Sequence, residues 1–167
     1  EIMTEDFGQE LNRILKNREH MVFGIVNGID YHDYNPLTDP GLKKHYSDKS
    51  AHLKKNNKTY LQRFYKLERN ENVPLLCMTS RITEQKGFKL FLKIVHTLLQ
   101  LDAQVIVMGD GDPKLQEELG RIAQEFPKRF ALTSFDNKME TSLYAGSDIF
   151  LLPSRYEPCG LNQMIAL

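Results

Sequence analysis

The sequence predicts an α/β protein built on a parallel sheet with helices packed against it. Two observations carry this. Four short apolar runs of strand-like length and composition recur over residues 75–152, and helical segments separate them. Those segments repeat their apolar residues at spacings of three and four, so each offers one stripe for burial. Strand and helix in alternation make βαβ units, and sheets of this kind bind ligands outside the carboxyl ends of their strands.

The elements follow in order. Phe7, Leu11, Ile14 and Leu15 predict a helix over residues 5–17. Met21–Val26 is a short apolar run stopped by the turn pair Asn27-Gly28. Asn35-Pro36 and Asp39-Pro40-Gly41 add further turn chemistry, so residues 27–48 read as irregular. Leu53, Tyr60, Leu61, Phe64 and Leu67 on a Lys/Asn-rich background predict a helix over 49–67. Leu75–Thr79 is the first strand. Phe88, Phe91, Leu92, Val95, Leu98 and Leu99 then define a strongly amphipathic helix. Gln104–Met108 is a β-branched strand. Asp112 and Pro113 pair an N-cap side chain with proline at the first helical position, opening a helix that runs to about Phe126. Phe130–Ser134 is the third strand, 138–146 a short helix, and Ile149–Leu152 an apolar strand ended by Pro153. The organisation expected is a linker segment over 1–48, with an N-terminal helix and an irregular loop, and a sheet domain over 49–167. The chain opens without Met and stops at Ile165-Ala166-Leu167 inside a predicted helix, which predicts a part of a longer protein.

Composition excludes several classes. Hydrophobic residues are 41% and charged residues 26%, the balance of an ordinary globular protein. Formal net charge is zero, so bulk electrostatics supplies no attraction to nucleic acid or an acidic membrane. The cluster Lys54-Lys55 with Lys58 is short, mixed with Asn, and reads as a solvated helix face. The two cysteines, Cys77 and Cys159, have no metal-ligand spacing and make no disulfide framework, which suits a reducing compartment. Neither a membrane-spanning stretch nor a signal peptide is present in the sequence, and no metal site is expected.

Four loops lie just past the predicted strands: Ser80–Gly87, Gly109–Asp112, Ser134–Lys138 and Pro153–Leu161. In the first, Arg81 offers a planar fork of donors and Lys86 a compact cation, a pair suited to a diphosphate. On the residues alone, two solvated surface cations fit the same pattern. In the second, Gly109 and Gly111 let backbone pass close to a ligand, or make a plain strand-to-helix turn. Its spacing fits neither a dinucleotide fingerprint nor a Walker loop. The fourth places Glu157 between an aromatic residue and a proline, with Gly160 leading into a helix whose first amides suit an anion. Glu157 has two readings there, a site carboxylate or a partner of the helix dipole.

The string Pro153-Ser154-Arg155-Tyr156-Glu157-Pro158-Cys159-Gly160-Leu161-Asn162-Gln163 closely resembles the signature of bacterial glycogen synthases and plant starch synthases. Three further stretches agree with that family in its order. They are Gly24–Asp30 followed by Tyr34-Asn35-Pro36, then Ser80-Arg81-Ile82 with Gln85-Lys86-Gly87, then Gly109–Pro113. The resemblance covers essentially the whole chain. It implies the carboxyl-terminal Rossmann-like domain of a two-domain GT-B transferase, incomplete at its C-terminal end, with part of the preceding linker. The activity implied is retaining transfer of glucose from ADP-glucose, or UDP-glucose in some relatives, to an α-1,4-glucan, with no metal and no cofactor. Such an enzyme is cytoplasmic, or in the plastid stroma if a plant starch synthase.

The resemblance also assigns roles. Arg81 and Lys86 match the pair that holds the donor diphosphate, and Glu157 the glutamate near the transferred glucose. Gly160 and Leu161 match the turn whose amides approach the phosphate, with Cys159 beside them. Gly109 and Gly111 match a strand-end loop of the donor pocket. Phe135 falls where the family places a residue against the base, with plain core packing as the other reading. Many related retaining transferases carry a second glutamate eight positions after the first. Ile165 stands there, which favours the glycogen/starch synthase branch over sucrose- or trehalose-phosphate-synthase relatives. The expected partners are ADP or ADP-glucose and, through an amino-terminal domain not in this chain, the glucan acceptor. The alternatives are a nucleotide-binding module without catalysis and another GT-B glycosyltransferase.

Overall fold

The computed structural model describes residues 2–8, 10–157 and 159–167. Glu1 of the acidic start, Gln9 of the predicted first helix and Pro158 of the 153–163 string lie outside the described residues.

Four parallel strands form the sheet: β1 (Leu75–Thr79), β2 (Gln104–Met108), β3 (Phe130–Thr133) and β4 (Ile149–Phe150). Their spatial order is β3-β2-β1-β4. β1 and β2 pair in register from Leu75 with Gln104 to Thr79 with Met108. The crossover helices are α3 (Phe88–Gln100), α4 (Pro113–Glu125) and α5 (Asn137–Gly146), with α2 (Lys54–Phe64) before the sheet and α6 (Leu161–Ala166) after it.

Alternation along the strands sorts the core into two layers. Leu76, Met78, Val105 and Val107 face α3 and α4, where Phe88, Phe91, Val95, Leu115 and Leu119 fill the interface. Leu75, Cys77, Ile106 and Met108 face the opposite side, against Leu61 of α2 and Leu143 of α5. Each of these side chains contributes roughly 1.5–3 kcal/mol on leaving water. Both faces of the sheet are therefore covered, which is why β1 and β2 read as continuous apolar runs.

The amino-terminal end of the sheet is a polar lock. Gln62 Nε2 donates to Gln104 Oε1 at 2.8 Å, and Gln104 Nε2 donates to the Glu68 carbonyl at 2.6 Å. Lys58 meets Asp148 at 2.6 Å, and the Leu75 amide donates to the same carboxylate at 2.8 Å. Among the described residues no buried side-chain nitrogen or oxygen lacks a partner.

Three elements differ from expectation. The helix expected over 5–17 is reduced to α1 (Asn12–Lys16), and Phe7, Leu11 and Ile14 are exposed. Phe7 meets the Tyr156 ring edge-on, with centroids 5.9 Å apart, but a stripe left mostly in solvent cannot hold a short helix. The helix expected over 49–67 begins as a 3₁₀ turn over Asp48–Leu53, broken at Ser50 (φ −127°), where Ser47 and Ser50 bond each other. The last strand keeps only two paired positions, Leu76 with Ile149 and Cys77 with Phe150. Its chain then leaves the ladder towards Pro153, which has no amide hydrogen to donate.

Candidate active site

The loops that follow the strands are pinned to one another by backbone. The Ile82 amide donates to the Asp110 carbonyl at 2.9 Å, and the Asp112 amide returns to the Ile82 carbonyl at 2.8 Å. Gly109 lies so close to the first loop that a Cβ there would stand 1.9 Å from the Ser80 carbonyl oxygen. Gly87 plays the same part between the first and fourth loops. Its φ is +80°, and a Cβ would stand 2.0 Å from the Pro153 carbonyl oxygen. The Arg155 amide donates to the Gln85 carbonyl at 2.9 Å, closing that junction. Asp112 caps α4, as its sequence predicts, by accepting from the Lys114 and Leu115 amides.

This packing carries Lys86 to Glu157. The ammonium donates to Glu157 Oε1 at 2.7 Å, and Ser154 Oγ donates to the same oxygen at 2.6 Å. Both partners of the ion pair are mostly buried, at 18% and 19% exposure, so the contact is weakly screened. Burial pushes the Glu157 carboxyl up, but the hydrogen bonds from Lys86 and Ser154 and the Lys86 charge together outweigh it and hold the group below its ordinary value. Glu157 thus has a specific side-chain partner across the cleft, beyond any general complement to the short helix α6.

A cavity of about 480 Å³ opens over the strand ends. Arg81 and Lys86 supply its cations, Asp110 and Glu140 its carboxylates, and Thr79, Ser80, Gly109, Phe135 and Asn162 the remaining lining. Phe135 is 50% exposed and its amide donates to Asp110 Oδ2 at 2.9 Å, so it stands in the cleft and is not core. Of the sequence-predicted residues, Arg81, Lys86, Gly109 and Phe135 line the cavity, and Glu157 adjoins it through Lys86. Gly111, Cys159, Gly160 and Leu161 do not line it. The Gly111 amide is already used, donating to Gln116 Oε1 at 3.1 Å. Gly160 has φ +74° and starts α6, and Cys159 is half-buried with a free thiol.

Sequence reasoning missed Glu140, Asp110, Asn162 and Thr79. Asp110 and Asn162 stand inside motifs already singled out, and Asn162 Nδ2 donates to the Thr79 carbonyl at 2.8 Å, tying α6 to the end of β1. Glu140 had one available signal, a lone acidic residue in the first turn of α5. Among the described residues no group of three or more His, Cys, Asp or Glu could hold a metal ion, and no helix is long and apolar enough to cross a membrane.

A parallel sheet covered on both faces, with a cleft over its strand ends, is the doubly wound α/β class, in which ligands bind at that crevice. The comparisons narrow this class. The sequence profile described as glycosyl transferases group 1 matches residues 44–166, and the chain belongs to that family. It is 44% identical over its whole length to a glycogen synthase of Lactobacillus acidophilus and 42% identical to one of Pseudothermotoga lettingae, covering 35% of each. The chain therefore spans about a third of the length of the curated relatives it matches. The catalytic domain of starch synthase IV from Arabidopsis thaliana, solved with ADP and acarbose, superposes on 99% of the chain with a TM-score of 0.93 at 35% identity, covering 35% of that chain. The expected parallel α/β architecture is the one observed.

Proposed function

We propose that this chain is the donor-binding part of a glucosyltransferase of the glycogen/starch synthase kind. The donor is ADP-glucose (UDP-glucose is the variant tested beside it), the acceptor an α-1,4-glucan, and the anomeric configuration is retained. The observation that carries the reading is the Lys86–Glu157 contact at 2.7 Å, which unites two sequence motifs beside a cavity that Arg81 also lines. Similarity to glycogen synthases and to a starch synthase solved with ADP supports it.

In this reading Arg81 and Lys86 hold the donor diphosphate. The bond from the anomeric carbon to phosphate breaks while a bond to an acceptor hydroxyl forms. The negative charge left on the nucleoside diphosphate falls on two cations already in place, so little reorganisation is needed. Glu157, ionised beside Lys86, orients sugar hydroxyls and favours the oxocarbenium-like carbon. Phe135 stacks on the base. Gly109 shapes the pocket wall, Gly111 supports the same loop from behind it, and Cys159, Gly160 and Leu161, outside the cavity lining, form the turn that leads into α6.

Residues 49–167 make the nucleotide-sugar domain and 1–48 lead into it. Acceptor contacts and exclusion of water then belong to the part of the longer relatives that this chain does not span, and the 167-residue chain alone binds ADP without turnover. The compartment is the reducing cytoplasm, or the stroma for a plant protein. The test is incorporation of labelled glucose into a glucan by the whole protein. Lys86→Ala and Glu157→Ala each lower turnover by about a hundredfold or more. Near-wild-type elongation by both variants rejects the reading.

A further inference from the structure

Crossing the sheet from β3 to β4, the groups at the strand ends change character in a fixed sequence. Phe135 follows β3 and Asp110 follows β2. Glu140 is tied to the last residue of β1, accepting from Thr79 Oγ1 at 3.2 Å. Arg81 follows β1, and Lys86 lies towards Glu157, beyond β4. The series runs from an aromatic face at β3 through the Asp110 carboxylate at β2 to Glu140 and Arg81 together at β1, with Lys86 towards Glu157. A nucleoside diphosphate laid along it puts its base against the aromatic face, its ribose against the carboxylates and its diphosphate against the cations.

Glu140 is built as a fixed acceptor. Its Oε1 takes hydrogen bonds from Thr79 Oγ1 and from the Tyr144 hydroxyl, each at 3.2 Å, which holds the carboxylate in one orientation. Its other oxygen, Oε2, has no hydrogen-bond partner among the described residues, and the side chain lines the cavity. An anionic acceptor on the wall of a pocket for an anionic ligand repels the phosphates. It gains by meeting neutral donors, and the ribose supplies two vicinal hydroxyls at the required place in the series.

We propose that Glu140 is the ribose-reading residue of this cleft, accepting from the 2′- and 3′-hydroxyls of the bound nucleotide. The proposal rests on the nucleotide-binding reading above. The test is calorimetric titration of the whole protein and its Glu140→Gln variant with ADP and with 2′,3′-dideoxy-ADP, with Arg81→Ala as a control for the site itself. Glu140→Gln keeps an oxygen for Thr79 and Tyr144, so the fold is preserved. It weakens ADP about tenfold, while dideoxy-ADP binds the variant as well as or better than the parent, because one negative charge has gone. Equal weakening of both nucleotides, or no weakening of ADP while Arg81→Ala still weakens it, overturns the ribose assignment and leaves the site. Indifference of ADP binding to Arg81→Ala as well overturns the nucleotide reading, and the ribose assignment with it.

Discussion

Lys86 and Glu157 are 71 residues apart in the chain and 2.7 Å apart in space. The contact joins the loop after β1 to the loop after β4, and Ser154 donates to the same carboxylate oxygen. Two partly buried charges that depend on each other do not act additively. The expected outcome of a double-mutant cycle is that Lys86→Ala and Glu157→Ala each strongly reduce glucan elongation from ADP-glucose by the whole protein, while the double variant loses less than the product of the two. Steady-state kcat/KM on the four proteins reads the coupling. Additive losses would mean that the two residues act independently of each other.

Glu157 also sets an acid limit. Its carboxyl is held below the ordinary value of 4.5 by the hydrogen bonds and charge of Lys86 and Ser154, against the opposing effect of burial. A depressed folded-state pKa contributes stability that is fully present above the unfolded value and is lost as pH falls through the folded one. Thermal melts of the parent and Glu157→Gln should therefore differ most above about pH 5 and draw together as pH falls below the ordinary carboxyl value. A constant difference across that range would place the contribution of Glu157 outside the ion pair.

Part of the cleft's lining was legible in the sequence. The strand-end loops fall out of element alternation alone, and Arg81, Lys86 and Glu157 are among the polar residues those loops carry. Asp112-Pro113 announces its helix because capping chemistry is local. What local pattern does not carry is pairing across the chain. Glu140 enters the cleft only because α5 crosses back over β1, and no spacing within residues 137–146 records that. The first helix fails for the converse reason: Phe7, Leu11 and Ile14 have helical spacing, but the spacing says nothing about whether a partner surface exists. Gly111 looked equivalent to Gly109 in sequence, and Gln116, five residues on, takes its amide away.

Gly87 is the position on which the junction of the two motifs turns. Its φ of +80° is left-handed, and a methyl group there would meet the Pro153 carbonyl oxygen at 2.0 Å. That oxygen is backbone, in a loop tied down by the Arg155 amide on Gln85, so it cannot swing aside as a side-chain end would. Gly87→Ala must pay the left-handed penalty, about 1 kcal/mol or more, and also push the fourth loop away from the first. Gly120, inside α4 with open space around it, is the matched control, since alanine there should stabilise by about 0.5–1 kcal/mol. Urea unfolding of the two variants should move in opposite directions, with Gly87→Ala losing about 2 kcal/mol or more. ADP affinity should fall in Gly87→Ala alone, because Lys86 and Glu157 are positioned from opposite sides of that contact. If Gly87→Ala unfolds at the parent's midpoint and binds ADP normally, the two loops are not held together by close backbone approach.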